Sequence, residues 1–280
     1  MPFGVLYALS DALFYLLYYV VRYRRRVVRR NLVESFPEKT LAEVVDTEKR
    51  FYRFFTDMIF ETCKLGTIPE EEMRRRAVFR NVETLNSMLE DGKSVAVYIG
   101  HMCNWEWISS MGQWLTDKAD IVQIYHRISN DFVNDYMVRL RERFGHICVT
   151  RHNTVRYITQ ELRNGKVLGV GFIADQSPKR REATHFLQFL NHEVPVVTGT
   201  EKLIKHYGFE VLYLSVRRMK RGYYEYELVP LHDSPQTVPD FELTRLYFER
   251  LERDIRQQPE FYLWSHNRFK YAKDRETTTS

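Results

Sequence analysis

His101 and Glu106 stand five positions apart in the segment Gly100-His101-Met102-Cys103-Asn104-Trp105-Glu106. A neutral imidazole takes a proton from a hydroxyl near neutral pH, and a carboxylate on its other ring nitrogen fixes the tautomer and stabilises the imidazolium that forms. Such a pair suits attack by an alcohol on an already activated carbonyl such as a thioester, which requires no nucleophile from the protein. On one continuous helix, residues five apart point about 140° away from each other and do not meet. They meet if His101 sits in a turn and Glu106 points back over the first turn of the helix that follows. Cys103 lies between them as an alternative thiol nucleophile. His101, Cys103 and Glu106 also resemble part of a metal set, but no fourth ligand stands at a supporting spacing, and no metal is expected. By spacing alone, the commoner meaning of such a pair is a structural hydrogen bond.

The surrounding pattern supplies a strand and a turn. Ser94-Val95-Ala96-Val97-Tyr98-Ile99-Gly100 is a short apolar run rich in β-branched residues and reads as a buried strand. Similar strands are expected at Ile121–Tyr125, Val167–Ile173 and Val211–Val216, separated by helical patterns at Trp105–Leu115, Asp131–Phe144, Thr154–Asn164 and Gly199–Tyr207. Between Thr40 and Met88 apolar residues recur at helical spacing, among them Val44, Phe51, Phe54, Phe55 and Met58, so amphipathic helices are expected there. Strands alternating with helices imply an α/β fold with a substantially parallel sheet, and the His101 turn then falls at the carboxyl edge of a strand, where such sheets place their sites.

The amino terminus has a different character. Phe3–Val21 is almost wholly apolar or aromatic, interrupted by Ser10 and Asp11, and is long enough to cross a bilayer. Arg22-Tyr23-Arg24-Arg25-Arg26-Val27-Val28-Arg29-Arg30 follows it, and cations on one flank are expected on the cytoplasmic side. Asp11 is costly at mid-bilayer, so the stretch either spans or lies in the interface. A buried amphipathic helix on the protein's own core is the alternative. Three parts are expected: a hydrophobic anchor helix with its basic flank at 1–30, one catalytic domain at 31–276, and a frayed polar tail at 277–280.

The 280 residues carry a net charge of +5, which favours acidic partners without choosing among phosphates, lipids, nucleic acid and acidic carrier proteins. The three cysteines form no CxxC pair and no disulfide framework, which fits a reducing compartment.

Several segments together resemble one family. Gly100-His101-Met102-Cys103-Asn104-Trp105-Glu106 resembles the Gly-His-x-x-Asn-Trp-Glu form of the His-x4-Asp/Glu motif of the late acyltransferases of lipid A biosynthesis, the lauroyl/myristoyl transferases of Gram-negative bacteria. Arg29-Arg30-Asn31-Leu32 with Phe36-Pro37, Arg141-Glu142-Arg143-Phe144-Gly145, Ala174-Asp175-Gln176, and Tyr262-Leu263-Trp264-Ser265-His266-Asn267-Arg268-Phe269-Lys270 resemble further family segments in the same order. The resemblance implies a glycerolipid-acyltransferase-like α/β fold, with a mixed sheet flanked by helices and an N-terminal membrane-associated helix. It implies an O-acyltransferase on the cytoplasmic face of the inner membrane. The donor would be acyl carrier protein or coenzyme A carrying the acyl chain, with no further cofactor and no nucleic acid partner. The acceptor would be a hydroxyl of a 3-hydroxyacyl chain on the phosphorylated glucosamine disaccharide. His101 carries over as general base and Glu106 as its orienting partner. Arg141 and Asp175 carry over as residues needed for activity, and with Arg127 and Asn104 they are the substrate-binding candidates. Cys103, the Tyr125-His126-Arg127-Ile128 stretch and the Ser177-Pro178-Lys179-Arg180-Arg181 loop depart from the family pattern. These departures leave open another lipid acceptor, such as a lysophospholipid or an amino-acid lipid. A membrane-surface binding protein without turnover is the reading from a different class.

Overall fold

A computed structural model of the chain describes residues 1–273, so the tail expected at 277–280 lies outside the described residues. The first helix, α1 (Phe3–Tyr15), continues through one π-helical turn at Leu16–Val20 and is followed by α2 (Arg25–Ser35) and α3 (Leu41–Leu65). Thr40 and Glu43 form a reciprocal capping box that starts α3. Then come α4 (Glu70–Arg76), β1 (Ala77–Arg80), α5 (Val82–Glu90) and β2 (Val95–Ile99). Past the His101 turn lie a 3-10 helix at Trp105–Trp114, β3 (Asp120–Tyr125), α6 (Asp131–Glu142), β4 (Ile147–Thr150), α7 (Thr154–Arg163) and β5 (Leu168–Ile173). The chain continues with β6 (Phe186–Phe189), β7 (His192–Pro195), α8 (Gly199–Tyr207), β8 (Glu210–Lys220), β9 (Tyr223–Pro230) and α9 (Glu242–Gln257).

Seven strands form one mixed sheet in the order β1-β9-β8-β2-β5-β3-β4, with β6 and β7 pairing apart as an antiparallel hairpin. Among the described residues, only β8 and β9 run antiparallel within the large sheet. The strand β2 lies at the centre with all five residues buried, so a strand with no polar position is what its apolar run requires. The ladder between β3 and β5 ends at Gln123–Gly171, while β2 stays paired to β5 as far as Ile173. The two strands therefore part at the carboxyl edge beside His101. One face of the sheet carries α9, whose Tyr247 stacks on Tyr98 at 4.6 Å, together with α8 and α7, joined through Thr159 and Tyr207. The other face carries α5 and the 3-10 helix, joined through Asn86 and the Trp114 carbonyl at 2.9 Å.

Two expectations about elements change. The helical stretch expected at Trp105–Leu115 is a 3-10 helix over Trp105–Trp114 rather than an α-helix. Ser109 and Ser110 donate hydroxyl bonds back to the Glu106 and Trp107 carbonyls, three residues earlier, and Gly112 lets the Phe144 carbonyl of the adjacent segment approach closely. With three residues per turn, Trp105, Ile108 and Met111 stack in one ridge and Glu106, Ser109 and Gly112 in the next. The strands β1, β4, β6, β7 and β9 and the helix α9 were not among the expected elements.

The helix α1 together with the π-helical turn, Phe3–Val20, is apolar and long enough to cross a membrane, yet only 22% of it is buried against the protein. Its inner face meets α3 through polar bonds. Tyr7 donates to Glu61 at 3.0 Å, Ser10 donates to Asp57 at 2.7 Å, and Arg221 bridges Asp11 at 2.7 Å to Asp57 at 2.6 Å. Val5, Leu9, Leu16, Tyr19 and Val20 stay exposed on the outer face. Of the basic flank, Arg25 and Arg29 fold back onto the buried carboxylate of Glu48.

Candidate active site

His101 follows β2 directly, with Gly100 as the last residue before the turn. A side chain at Gly100 would run into Leu251 of α9, so this position holds glycine for space. Cys103 then takes a left-handed backbone conformation, and Asn104 caps the 3-10 helix by accepting from the Trp107 N–H at 3.2 Å. The turn is clamped from outside by the C-terminal segment. The Cys103 N–H donates to the Phe261 carbonyl at 2.8 Å, and the Leu263 N–H donates to the His101 carbonyl at 3.2 Å. That segment is held in turn by Asn31 of α2, which donates to the carbonyls of Trp264 at 3.0 Å and His266 at 2.9 Å. The Arg-Asn-Leu segment near the start and the Trp-x-His segment near the end are thus two halves of one brace around His101.

The carboxylate on the His101 ring is Asp175. Nδ1 and Oδ1 are 2.6 Å apart, and Oδ2 accepts the His101 backbone N–H at 3.2 Å. Asp175 lies two residues past the end of β5, next to β2, and is 1% exposed, so its charge acts on His101 with little screening from water. Burial works to raise its carboxyl, but His101, which faces it with both ring and backbone, and the charge of Arg268 outweigh burial and hold it below the usual range. An ionised Asp175 places the proton on Nδ1. The Nε2 lone pair then faces the Gln176 side-chain amide, 3.3 Å away at the cavity edge. Trp105 packs edge-on to the imidazole at 5.1 Å between centroids and limits its rotation.

This corrects the expected role of Glu106. Its two oxygens accept a bidentate pair from Arg141 of α6, at 2.9 Å from Nε and 2.8 Å from Nη2. The 3-10 geometry is the reason: it aims position 106 at α6 and gives the position beside the His101 ring to Trp105. The pair is largely enclosed, with side chains 17% and 11% exposed, and Glu106 holds the Arg141 guanidinium firmly charged against the cost of burial. Arg141 and Asp175, both expected among the substrate-binding residues, are taken up in two separate pairs, Arg141–Glu106 and His101–Asp175.

Two further candidates, Asn104 and Arg127, are not among the residues lining the cavity beside His101. Asn104 is fully buried and spent on structure: besides the cap, it donates to Glu61 at 2.9 Å, and its carbonyl accepts from Tyr226 at 2.7 Å. Arg127 lies on the surface, paired to Asp131 at 2.7 Å one helical turn on. Cys103 is wholly buried; its thiol approaches the Val216 carbonyl at 3.8 Å, and burial pushes its ionisation well up, which disfavours the thiolate that a nucleophile requires. Lys179, Arg180 and Arg181 are exposed just beyond Asp175.

Three residues gain roles that spacing did not assign. Gln176 covers the free nitrogen of His101. His266 accepts the Ser177 N–H at 3.3 Å, and burial keeps its imidazole neutral, lowered to about 4, so it can act as that acceptor. Glu61 is a buried carboxylate that accepts from Tyr7, Asn104 and Tyr224, tying α1, the His101 turn and β9 together. Its signal lay in the sequence: Phe54, Met58, Glu61 and Leu65 follow helical spacing, which sets a charge on an apolar stripe.

His101, Glu106 and Arg141 line a cavity of about 750 Å³ together with mainly apolar side chains, among them Trp105, Ile108 and Met111. Arg151 and Lys202 also line it. A base with its free nitrogen toward an apolar space of this size suits proton removal from a hydroxyl on a hydrocarbon-bearing substrate.

Comparison with curated proteins finds no match to this chain. A family model described as bacterial lipid A biosynthesis acyltransferase matches residues 1–271, and the chain belongs to that family.

Proposed function

We propose that the chain transfers a fatty acyl group from an acyl-carrier thioester to a hydroxyl of a lipid A precursor, with His101 as general base and Asp175 as its orienting partner. The observation that carries this reading is the His101 ring itself, with Nδ1 on a buried carboxylate and Nε2 toward the cavity. The acceptor hydroxyl takes the position of the Gln176 amide. Nε2 removes its proton as the oxygen attacks the thioester carbonyl, and Asp175 stabilises the imidazolium. Collapse of the tetrahedral intermediate breaks the carbon–sulfur bond. The imidazolium returns its proton to the departing thiolate, leaving an ester, a free carrier thiol and a neutral His101. No covalent enzyme intermediate forms. The Glu106–Arg141 pair is a fixed polar wall at the cavity and holds the 3-10 helix against α6.

The donor is read as acyl carrier protein, and the acceptor as the hydroxyl of a 3-hydroxyacyl chain on the phosphorylated disaccharide. The exposed loop at Lys179–Arg181 supports an acidic or phosphorylated partner. The outer face of α1 supports contact with the cytoplasmic leaflet of the inner membrane, and its polar bonds to α3 favour a helix lying in the interface over one that spans. In this reading residues 1–30 carry the membrane contact and 31–276 the chemistry. Mass spectrometry of lipid extracts from cells with and without the gene tests it. Lipid A lacking one secondary acyl chain in the deletion is the expected result; unchanged lipid A with an altered phospholipid or amino-acid lipid would reassign the acceptor.

A further inference from the structure

Two glycines lie inside β5, where glycine weakens a strand. Neither Gly169 nor Gly171 has a positive φ, so the backbone there accepts any residue. Their register explains their presence. Gly169 lies between Val95 of β2 and Ile121 of β3, and Gly171 between Val97 and Gln123, so both face the same side of the sheet. Gly169 and Gly171 line the cavity along with Val97, Ile99 and Ile121. A Cβ at Gly169 would stand 2.9 Å from Cδ1 of Ile121, and one at Gly171 would stand 3.2 Å from Cδ1 of Ile99. The two isoleucines therefore lie flat over the glycines. Any side chain there would lift them into the cavity.

We propose that Gly169 and Gly171 set the length of acyl chain the protein accepts, by keeping Ile121 and Ile99 out of a trough that runs inward from His101. The inference deepens the functional reading above and rests on it. Gly171 lies nearer the carboxyl edge and His101, and Gly169 lies two residues deeper. That separation is about 6.6 Å along the strand, or roughly five carbons of an extended chain. Filling the nearer position must shorten the trough more than filling the deeper one.

The test uses the purified full chain as wild type, Gly171→Val and Gly169→Val, with thermal melting to verify folding. Each is offered acyl-carrier-protein thioesters differing in steps of two carbons, with the lipid A precursor as acceptor and product mass as readout. Valine suits a central strand, and the smaller Gly171→Ala and Gly169→Ala serve if either valine variant does not fold. Both variants are expected to keep transfer from short donors while the preferred length falls. The fall should be greater for Gly171→Val, by about two such steps. A preferred length unmoved in both variants, or moved equally, would overturn the inference. A wild-type chain that transfers no acyl group at any length would overturn the functional reading instead, so the two failures are distinct.

Discussion

Replacing Asp175 by asparagine separates the two carboxylates near His101. The substitution keeps size and shape at a site 1% exposed, so the fold is expected to persist. What changes is the ring. Asp175 accepts from Nδ1 at 2.6 Å and from the His101 backbone N–H at 3.2 Å. An asparagine whose oxygen keeps the backbone bond presents its NH2 to Nδ1, and this moves the proton to Nε2, where a base needs a lone pair. The charge that stabilised the imidazolium is lost as well. In a Ser-His-Asp site the equivalent change lowers kcat about 10⁴-fold, or about 5 kcal/mol of barrier, and a loss of that order is expected here. Glu106→Gln leaves the His101 ring untouched and weakens the bond to Arg141, so a loss of no more than about a hundredfold is expected from local loosening. The assay is the initial rate of acyl transfer with melting temperature measured alongside. Asp175→Asn retaining a rate within about tenfold of wild type, or Glu106→Gln losing more than Asp175→Asn, would refute the assignment.

Other outcomes follow from the same contacts. Asn104→Ala removes a helix cap and one partner of buried Glu61, so stability should fall by about 2–4 kcal/mol with acceptor KM little changed; a selective rise in KM in a chain of normal stability would contradict the structural role. Arg127→Ala, in an exposed pair, should alter transfer less than about twofold, which steady-state kinetics can check. His146 is buried with Nδ1 against Gln123 at 2.6 Å, and burial lowers its imidazole from 6.5 to about 4. Its neutral form is the native one, so its contribution is intact above about pH 6.5 and is lost as the unfolded chain takes up a proton between about 6.5 and 4. Denaturant titration between about pH 7 and 5 should show a loss of stability about 2 kcal/mol smaller in His146→Phe than in wild type, His266 contributing to the loss common to both. Leu16→Glu with Val20→Glu on the exposed side of the π-helical turn that continues α1 should weaken binding to anionic vesicles on the order of a hundredfold, as read by co-sedimentation.

Much of the frame was legible before any coordinates. The strand ending at Ile99, the glycine after it and the flanking strand at 168–173 follow from apolar runs with no polar break, and the strand at 121–125 from a run interrupted only by Gln123, a local signal. β9 was missed although Tyr224, Tyr226 and Leu228 alternate inward with Glu225 and Glu227 between them. β1 and β4 are four residues each, too short to show a period. The site divides in the same way. His101 sits in the turn as its spacing requires, but its partner is 74 residues away, and only the pairing of β2 with β5 brings Asp175 to it. Glu106 was the nearer carboxylate in sequence, yet nothing local announces three residues per turn instead of 3.6, and that difference decides which side chain reaches the ring. Asn104 looked like a polar group offered to substrate; its cap to Trp107 is local, whereas its bond to Glu61 is not.

The most direct measurement offers an acyl-carrier-protein thioester and the hydroxyl-bearing lipid A precursor to the purified chain, wild type and His101→Ala, and reads product mass over time. Wild type should add one acyl group and release one carrier thiol per ester formed, while His101→Ala, folded to the same melting temperature, forms no product above background. Equal product from the His101→Ala chain would contradict the account.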